Sequence, residues 1–267
     1  MFEHTFFSYA IDAINAIDVI NAIVSINPIS PPIMKKHIPN TITCCNLICG
    51  CIATGFALKG DFNWAMGFIV MGAVFDFFDG FVARLLHVSS AIGKELDSLA
   101  DCITFGFAPA AIVSGLLRLA PLPIENETVT LVLPYLAFII AAFSALRLAK
   151  FNLDERQSTT FYGLPTPANA LFWSALAVGT HEWIATTSWS VYALLLGIVC
   201  SSWILVADIP MFALKFKDYS LAHNKLRYGF ILASAALLLL AGWTGFAFVI
   251  LLYIATSLVA NACNSKK

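Results

Sequence analysis

Four aspartates lie within 26 residues of otherwise apolar sequence: Asp76, Asp79, Asp97 and Asp101. Each charged aspartate near the middle of a membrane helix costs roughly 2.5–3.5 kcal/mol to insert, so four of them predict a compensating ligand. Oxygen donors alone favour a hard cation such as Mg²⁺ or Mn²⁺ over zinc. Two such ions about 3.5–4 Å apart bind the attacking and leaving oxygens of a phosphoryl transfer, and this is the chemistry that the pattern indicates.

Helical spacing arranges the four aspartates in two pairs. Asp76 and Asp79 are three residues apart and Asp97 and Asp101 are four apart, so each pair lies on one face of its helix. A connection of about ten residues between the two segments predicts antiparallel neighbours. Two such faces at similar depth can enclose a two-metal site, whereas a single aspartate could be a structural hydrogen-bonding residue.

Small residues and one base accompany the aspartates. Gly80, Ala83 and Gly93 leave room for a bulky polar substrate to approach the backbone. Arg84 follows the first pair at the end of its helix. Without the aspartates, Gly80 and Ala83 would indicate ordinary close packing of helices.

The composition is that of a membrane protein. The 267 residues are 60% hydrophobic and 12% charged, with a mean hydropathy of +0.83. Soluble domains carry roughly twice that charge. The net charge of −1 leaves no basic surface for nucleic acid, so we expect no nucleic-acid partner.

Long apolar stretches predict an all-α polytopic membrane helix bundle with about eight transmembrane helices. The predicted spans are residues 41–59, 63–86, 96–118, 130–152, 165–187, 189–212, 226–242 and 244–262. Before them, residues 1–33 form a non-core extension that has isoleucine at every third position from Ile11 to Ile26 and no lysine or arginine. Pro28, Pro31 and Pro32 are expected to break the chain ahead of the core.

The basic residues predict the orientation in the membrane. With a cytoplasmic start of the core, thirteen lysines and arginines lie on the cytoplasmic side and only Lys59 and Arg118 lie outside. This asymmetry places both core termini and all four aspartates on the cytoplasmic side of the cytoplasmic (inner) membrane.

The motif Asp-x2-Asp-Gly-x2-Ala-Arg-x8-Gly-x3-Asp-x3-Asp, met in full by residues 76–101, resembles the signature of the CDP-alcohol phosphatidyltransferases. Further stretches resemble the membrane-embedded phosphatidylserine synthase branch of that family. They are residues 39–43, 96–109, 147–152, 161–167 and 209–212.

The resemblance implies a six-helix catalytic core over residues 34–217, with two additional spans in residues 218–267. It implies two divalent ions, Mg²⁺ or Mn²⁺, held by the four aspartates, with Asp101 as the general base. It also implies CDP-diacylglycerol binding by Gly80, Ala83, Arg84 and Gly93 beside the metal ligands, and pairing as a homodimer. The expected reaction transfers the phosphatidyl group to the hydroxyl of L-serine and releases CMP.

Other polar residues are candidate substrate contacts. Asn40, Thr43 and Asn46 lie at the start of the first span, on the same cytoplasmic side as the aspartates. They can contact the nucleotide, or they can serve only in helix capping and polar packing. Arg147 and Lys150 can bind the serine carboxylate, or anchor the helix end at the membrane surface. Asn152 and Thr166 are weaker candidates for the same role.

Two alternatives stay open at this point. The acceptor can be another alcohol, such as glycerol 3-phosphate or inositol phosphate, although a phosphorylated acceptor needs additional bases around the site. The aspartates can instead mark the ion path of a cation transporter, but transporters usually show internal repeats and interrupted helices, and the core shows no internal repeat.

Overall fold

The computed structural model describes residues 31–122, 126–154, 162–211 and 224–264. These residues form ten α-helices, numbered here in chain order: α1 Pro31–Leu58, α2 Phe62–Leu85, α3 Ala91–Asp101, α4 Ala108–Leu119, α5 Glu127–Val132, α6 Ile139–Leu153, α7 Thr166–Thr186, α8 Ser190–Val206, α9 Lys225–Ala241 and α10 Gly245–Asn264. The only β-contact among them is an isolated bridge between Tyr162 and Pro210. The predicted all-helical bundle is therefore confirmed.

Five helical stretches of the described chain are long and apolar enough to cross a membrane, which confirms a polytopic membrane protein. They are His37–Leu58, Phe62–Leu85, Ala91–Leu119, Glu127–Leu153 and Leu226–Asn261. The predicted number of eight is not established by this criterion. Helix α8 is apolar but short, α7 includes His181 and Glu182, and the last stretch combines α9 with α10.

Two helix starts differ from those predicted. Helix α1 begins at Pro31, about ten residues early, since proline is tolerated in the first turn of a helix. Helix α3 begins at Ala91, because the Ser90 hydroxyl accepts a hydrogen bond from the Gly93 amide at 2.9 Å and caps it. The connection between the aspartate helices is therefore only residues 86–90. The predicted extension lies mostly in residues 1–30, outside the described residues.

Helices α2 and α3 both pack against α1, and the three helices form the frame of the site. The contact between α1 and α2 is made by small side chains, among them Ala53, Ala57 and Ala65, which are essentially inaccessible to solvent. The hydrophobic effect contributes little between helices in lipid. Small residues instead let the two backbones approach closely, and the resulting van der Waals contacts stabilise the helix pair.

A widened turn directly follows Asp101. Residues Cys102–Phe107 form a π-helix that joins α3 to α4, and such turns are rare and frequent at functional sites. Pro109, in the first turn of α4, has no N–H and therefore cannot donate the backbone hydrogen bond to the residue four positions earlier that an α-helix would form. The hydroxyl of Thr104 in this turn donates to the Asn46 carbonyl of α1 at 2.9 Å. The turn is thus bonded to the helix that faces the aspartates.

The loop before α7 is held against the end of α8. The Gly163 amide donates to the Ile209 carbonyl at 3.0 Å, and the Leu164 amide donates to the Ile204 carbonyl at 3.1 Å. Gly163 has a φ of +74°, and a Cβ there would collide with the Leu205 carbonyl oxygen. Glycine is therefore required at this turn, which sets the start of α7.

Candidate active site

Three of the four predicted metal ligands meet between α2 and α3. Asp76, Asp97 and Asp101 each offer a carboxylate oxygen, and these oxygens lie within 4.8 Å of one another. All three side chains are partly buried. Three converging carboxylates in a largely apolar setting fit a hard divalent cation, which would compensate their mutual repulsion.

Asp79 takes a different position from these three. It is buried, and it accepts a hydrogen bond of 2.6 Å from the Thr43 hydroxyl of α1. Two residues three apart on a helix are separated by about 60° around its axis, so Asp76 can face α3 while Asp79 faces α1. Asp79 nevertheless lines the same cavity as Asp97.

Helix α1 supplies polar partners to both aspartate helices. Asn46 is fully buried, and its Nδ2 donates to an Asp101 carboxylate oxygen at 3.2 Å. Its Oδ1 has no hydrogen-bond partner among the described residues. Asn40, Thr43 and Asn46 follow one another at three-residue intervals, and the structure uses the last two to hold aspartates in place.

A cavity of about 230 Å³ opens beside the carboxylates. It is lined by most of the residues predicted to bind the CDP-lipid, namely Asn40, Thr43, Asp79, Gly80, Ala83 and Gly93. Of the other two, Asp76 lies in the carboxylate cluster, and Arg84 is exposed at the end of α2. The nearest atom to a Cβ built on Gly80 would be the Arg84 Nη1 at 3.6 Å.

The two glycines of the motif have different surroundings. A Cβ at Gly93 would approach the Asn40 Oδ1 and the Ser90 Oγ to 2.9 Å, so glycine allows α3 to lie close to α1. At Gly80 a Cβ meets no atom of the protein closer than Arg84. The space beside Gly80 therefore belongs to the cavity and not to packing between helices.

Arg147 is a buried residue of α6, the helix that packs against the π-helix following Asp101. It is 8% exposed, and its Nε has no hydrogen-bond partner among the described residues. Its guanidinium lies 5.1 Å from the centre of the Phe151 ring. A buried cation with a free donor beside a carboxylate centre is suited to bind an anionic substrate group.

Two further contacts hold the end of α6 near α3. The Asn152 side-chain amide donates to the Ser98 hydroxyl at 2.8 Å, and the Lys94 ammonium donates to the Asn152 carbonyl at 3.4 Å. Lys150 is exposed, and its ammonium donates to the Val206 carbonyl at the end of α8 at 3.0 Å. Lys150 and Asn152 therefore both have structural contacts.

Sequence reasoning missed two buried polar residues of α6 and α7 and gave little weight to a third. Asn169 is completely buried, and neither atom of its amide has a partner in the described chain. The hydroxyls of Thr166 and Ser144 are equally buried and without a partner there. The available signal was the spacing: Thr166 and Asn169 share one face of α7, and Ser144 and Arg147 share one face of α6.

A family model described as CDP-alcohol phosphatidyltransferase matches residues 36–207 of the chain. That region contains the whole carboxylate motif, the cavity lining and Arg147. It ends before α9 and α10.

Curated relatives with the same printed name come from distant organisms. The CDP-diacylglycerol–serine O-phosphatidyltransferase of Bacillus subtilis is 40% identical over 132 residues, which are 49% of this chain and 70% of that protein. The Mycobacterium leprae protein of that name is 32% identical over 186 residues, covering 65% of this chain and 57% of its own length. The Saccharomyces cerevisiae protein is 41% identical over 109 residues, or 38% of this chain and 36% of its own length. The matched region thus spans less than two thirds of the mycobacterial and yeast relatives.

Proposed function

The chain belongs to the CDP-alcohol phosphatidyltransferase family, and from this we propose that it transfers the phosphatidyl group of CDP-diacylglycerol to the hydroxyl of L-serine. The products are phosphatidylserine and CMP. The observation that carries the proposal is the cluster of Asp76, Asp97 and Asp101 beside a cavity that Asp97 also lines. The choice of serine rests on the names of the relatives.

The cavity between α1, α2 and α3 is the proposed site of the CDP-diacylglycerol headgroup. Gly80 and Ala83 leave space along α2, Gly93 leaves space along α3, and Asn40 and Thr43 supply polar groups from α1. Arg84, exposed at the end of α2, is available to a phosphate oxygen. The acyl chains stay in the bilayer while the headgroup reacts at its surface.

The aspartates are the proposed ligands of two Mg²⁺ or Mn²⁺ ions. Asp76, Asp97 and Asp101 would bind them directly as a cluster, and Asp79 would contribute from the cavity wall. Such ions would neutralise the negative charge that develops on the pyrophosphate oxygens as CMP leaves.

The proton transfer is assigned to Asp101. The serine hydroxyl is a poor nucleophile, so a base must accept its proton as the oxygen attacks phosphorus. A new bond forms between the serine oxygen and the lipid phosphorus, and the bond from that phosphorus to the CMP oxygen breaks. The hydrogen bond from Asn46 holds the Asp101 carboxylate in a defined orientation for this step.

Arg147 is the proposed partner of the serine carboxylate. Its buried guanidinium has an unpaired Nε, and α6 packs against the π-helix that follows Asp101, so one bound serine can place its carboxylate on Arg147 and its hydroxyl at the base. Thr166 and Asn169 carry unpaired polar atoms on the neighbouring helix. Lys150 can assist with donors not used by Val206.

For the membrane arrangement, we propose eight crossings with the active site facing the cytoplasm in the cytoplasmic membrane. The catalytic core is residues 34–217, residues 218–267 supply two further crossings, and residues 1–33 are a non-core extension. A homodimer is the expected assembly.

The test is release of CMP from labelled CDP-diacylglycerol by the purified chain with serine and Mn²⁺. Serine should support release, and Asp101→Asn should lower the rate by about 10²–10⁴-fold, the usual contribution of a general base. Asp61→Asn, which alters an aspartate that caps the opposite end of α2, is the matched control.

An acceptor screen in the same assay separates the alternatives. Release with glycerol 3-phosphate or inositol phosphate, but not with serine, would contradict the acceptor and keep the reaction class. Ion flux in liposomes without CMP release from any alcohol would contradict the reaction class as well.

A further inference from the structure

Helix α6 touches the segment formed by α3 and the π-helix at two separate levels. At the first level, the π-helix packs closely against α6. A Cβ built on Gly106 of the π-helix would lie only 3.0 Å from the Ser144 Cβ. At the second level, the Asn152 side-chain amide of α6 donates to the Ser98 hydroxyl of α3 at 2.8 Å.

The two levels enclose the residues assigned to the acceptor reaction. On each segment, eight residues separate the two contacting positions, and their order is reversed between the segments, which therefore run antiparallel. Asp101 lies between the two levels on one segment, and Arg147 lies between them on the other. Contact at one level alone would leave α6 free to pivot, so both levels are needed to fix the spacing between these two residues.

A third residue strengthens the second level. The Lys94 ammonium donates to the Asn152 backbone carbonyl at 3.4 Å, and the Ser98 hydroxyl donates to the Lys94 carbonyl at 3.2 Å. Because the proton of this hydroxyl is used within α3, its oxygen can accept the hydrogen bond from Asn152. Lys94 also lines the cavity. Lys94, Ser98 and Asn152, called the α3–α6 clasp below, therefore join the cavity wall to the helix that carries Arg147.

We infer that Ser98 and Asn152 are positioning residues, which hold the Asp101 carboxylate and the Arg147 guanidinium at the separation that one serine molecule requires. This inference rests on the proposed function. In that reaction serine binds Arg147 through its carboxylate and gives its hydroxyl proton to Asp101. A fixed spacing between the two side chains raises the fraction of bound serine that can react. Loss of the clasp would loosen α6 and leave the metal ligands and the cavity in place.

The test compares Ser98→Ala and Asn152→Ala in the purified full-length chain, because each variant removes one side of the same hydrogen bond. Each should lower kcat/KM for serine by about threefold to tenfold, the range expected for loss of one neutral hydrogen bond. The double variant should lose about as much as either single variant, since the contact is already broken. The KM for CDP-diacylglycerol and the affinity for Mn²⁺ should stay at their wild-type values.

Two further variants serve as controls. Ser98→Thr keeps the hydroxyl and should retain the wild-type kcat/KM for serine. Ser174→Ala removes a hydroxyl that, within the described chain, donates only to carbonyls of its own helix, at 2.7 and 3.3 Å. This variant should also leave kcat/KM for serine unchanged.

Three results would overturn the inference and keep the proposed function. The first is an unchanged kcat/KM for serine in both alanine variants. The second is a loss in Asn152→Ala but not in Ser98→Ala, which would make Asn152 a direct substrate contact. The third is a parallel loss for serine, CDP-diacylglycerol and Mn²⁺ with a lower melting temperature, which would make the clasp a support of the whole fold. A wild type with no serine-dependent CMP release would overturn both the inference and the proposed function.

Discussion

The carboxylates of the motif differ in their partners although they share one sequence pattern. Asp76, Asp97 and Asp101 converge on one point, whereas Asp79 accepts the Thr43 hydroxyl. Asp101 alone is bonded to Asn46. The three clustered residues are therefore suited to metal binding and proton transfer, and Asp79 is suited to shape the cavity wall.

At Thr43, removal of one hydroxyl should affect catalysis more than stability. Thr43→Val keeps the shape of the side chain but removes the donor to Asp79. A hydrogen bond to a charged group contributes about 1.5–3 kcal/mol, so we expect a loss of about tenfold or more in kcat/KM for CDP-diacylglycerol. Steady-state CMP release measures this.

Thr41→Val is the matched control for that substitution. The Thr41 hydroxyl donates only to the His37 carbonyl of its own helix, at 3.0 Å. Equal losses in the two variants would show that the Asp79 contact has no special importance.

At this scale the sequence predicts charged residues better than neutral ones. Asp76, Asp97 and Asp101 stand out because a charge in an apolar helix is costly. Asn169 has no such signal, since a single amide in a membrane helix equally fits ordinary packing between helices. The choice of Thr43 as the partner of Asp79 depends on how α1 rotates against α2, which spacing within one helix does not determine.

Among the helices, the close contact of α1, α2 and the π-helix is the element that positions Asp101. Thr104 of the π-helix lies against Gly50 of α1 and Gly72 of α2. A Cβ at Gly72 would approach the Thr104 Cγ2 to 2.5 Å and the Asn46 Oδ1 to 3.0 Å. Movement of either residue would displace the groups that hold Asp101.

Gly72→Ala should therefore destabilise the protein and lower its activity. Overpacking of a close contact costs about 1–3 kcal/mol. Because the added Cβ would lie only 2.5 Å from the Thr104 Cγ2, we expect the upper part of that range, which exceeds the roughly 1 kcal/mol that alanine gains over glycine in a helix. Thermal unfolding followed by tryptophan fluorescence should show a lower midpoint.

Gly67→Ala, on the same helix with no atom within 4 Å of the added Cβ, should be neutral or stabilising. A Gly72→Ala variant as stable as Gly67→Ala would contradict the close contact.

Helix positions could be predicted well from apolar run length, whereas helix ends and irregular turns could not. Helices occupy all eight predicted ranges. The start of α3 depends on the Ser90 cap, and the π-helix depends on Pro109 together with packing around Thr104. A hydropathy profile contains no information on helix caps, proline positions or side-chain packing, so it does not predict these boundaries.

For the whole molecule, the excess of lysine and arginine on one side predicts that the carboxylate site faces the cytoplasm. Two exposed residues provide sites for cysteine labelling: Glu95 lies in the first half of α3 near the cavity, and Thr128 lies at the start of α5. Each is replaced by cysteine in a separate variant. A membrane-impermeant thiol reagent should label Thr128→Cys in intact cells and Glu95→Cys only in inverted vesicles. The parent protein measures the background from native cysteines, and the reverse labelling pattern would contradict the orientation.

Direct binding of Mn²⁺ to the purified chain, measured by electron paramagnetic resonance without substrate, tests the carboxylate cluster independently of activity. The wild type should bind Mn²⁺, Asp97→Asn should weaken binding by at least about tenfold, and Glu127→Gln, at the start of α5, should bind as the wild type does. Mn²⁺ affinity in Asp97→Asn equal to that of the wild type would contradict a metal centre built by Asp76, Asp97 and Asp101.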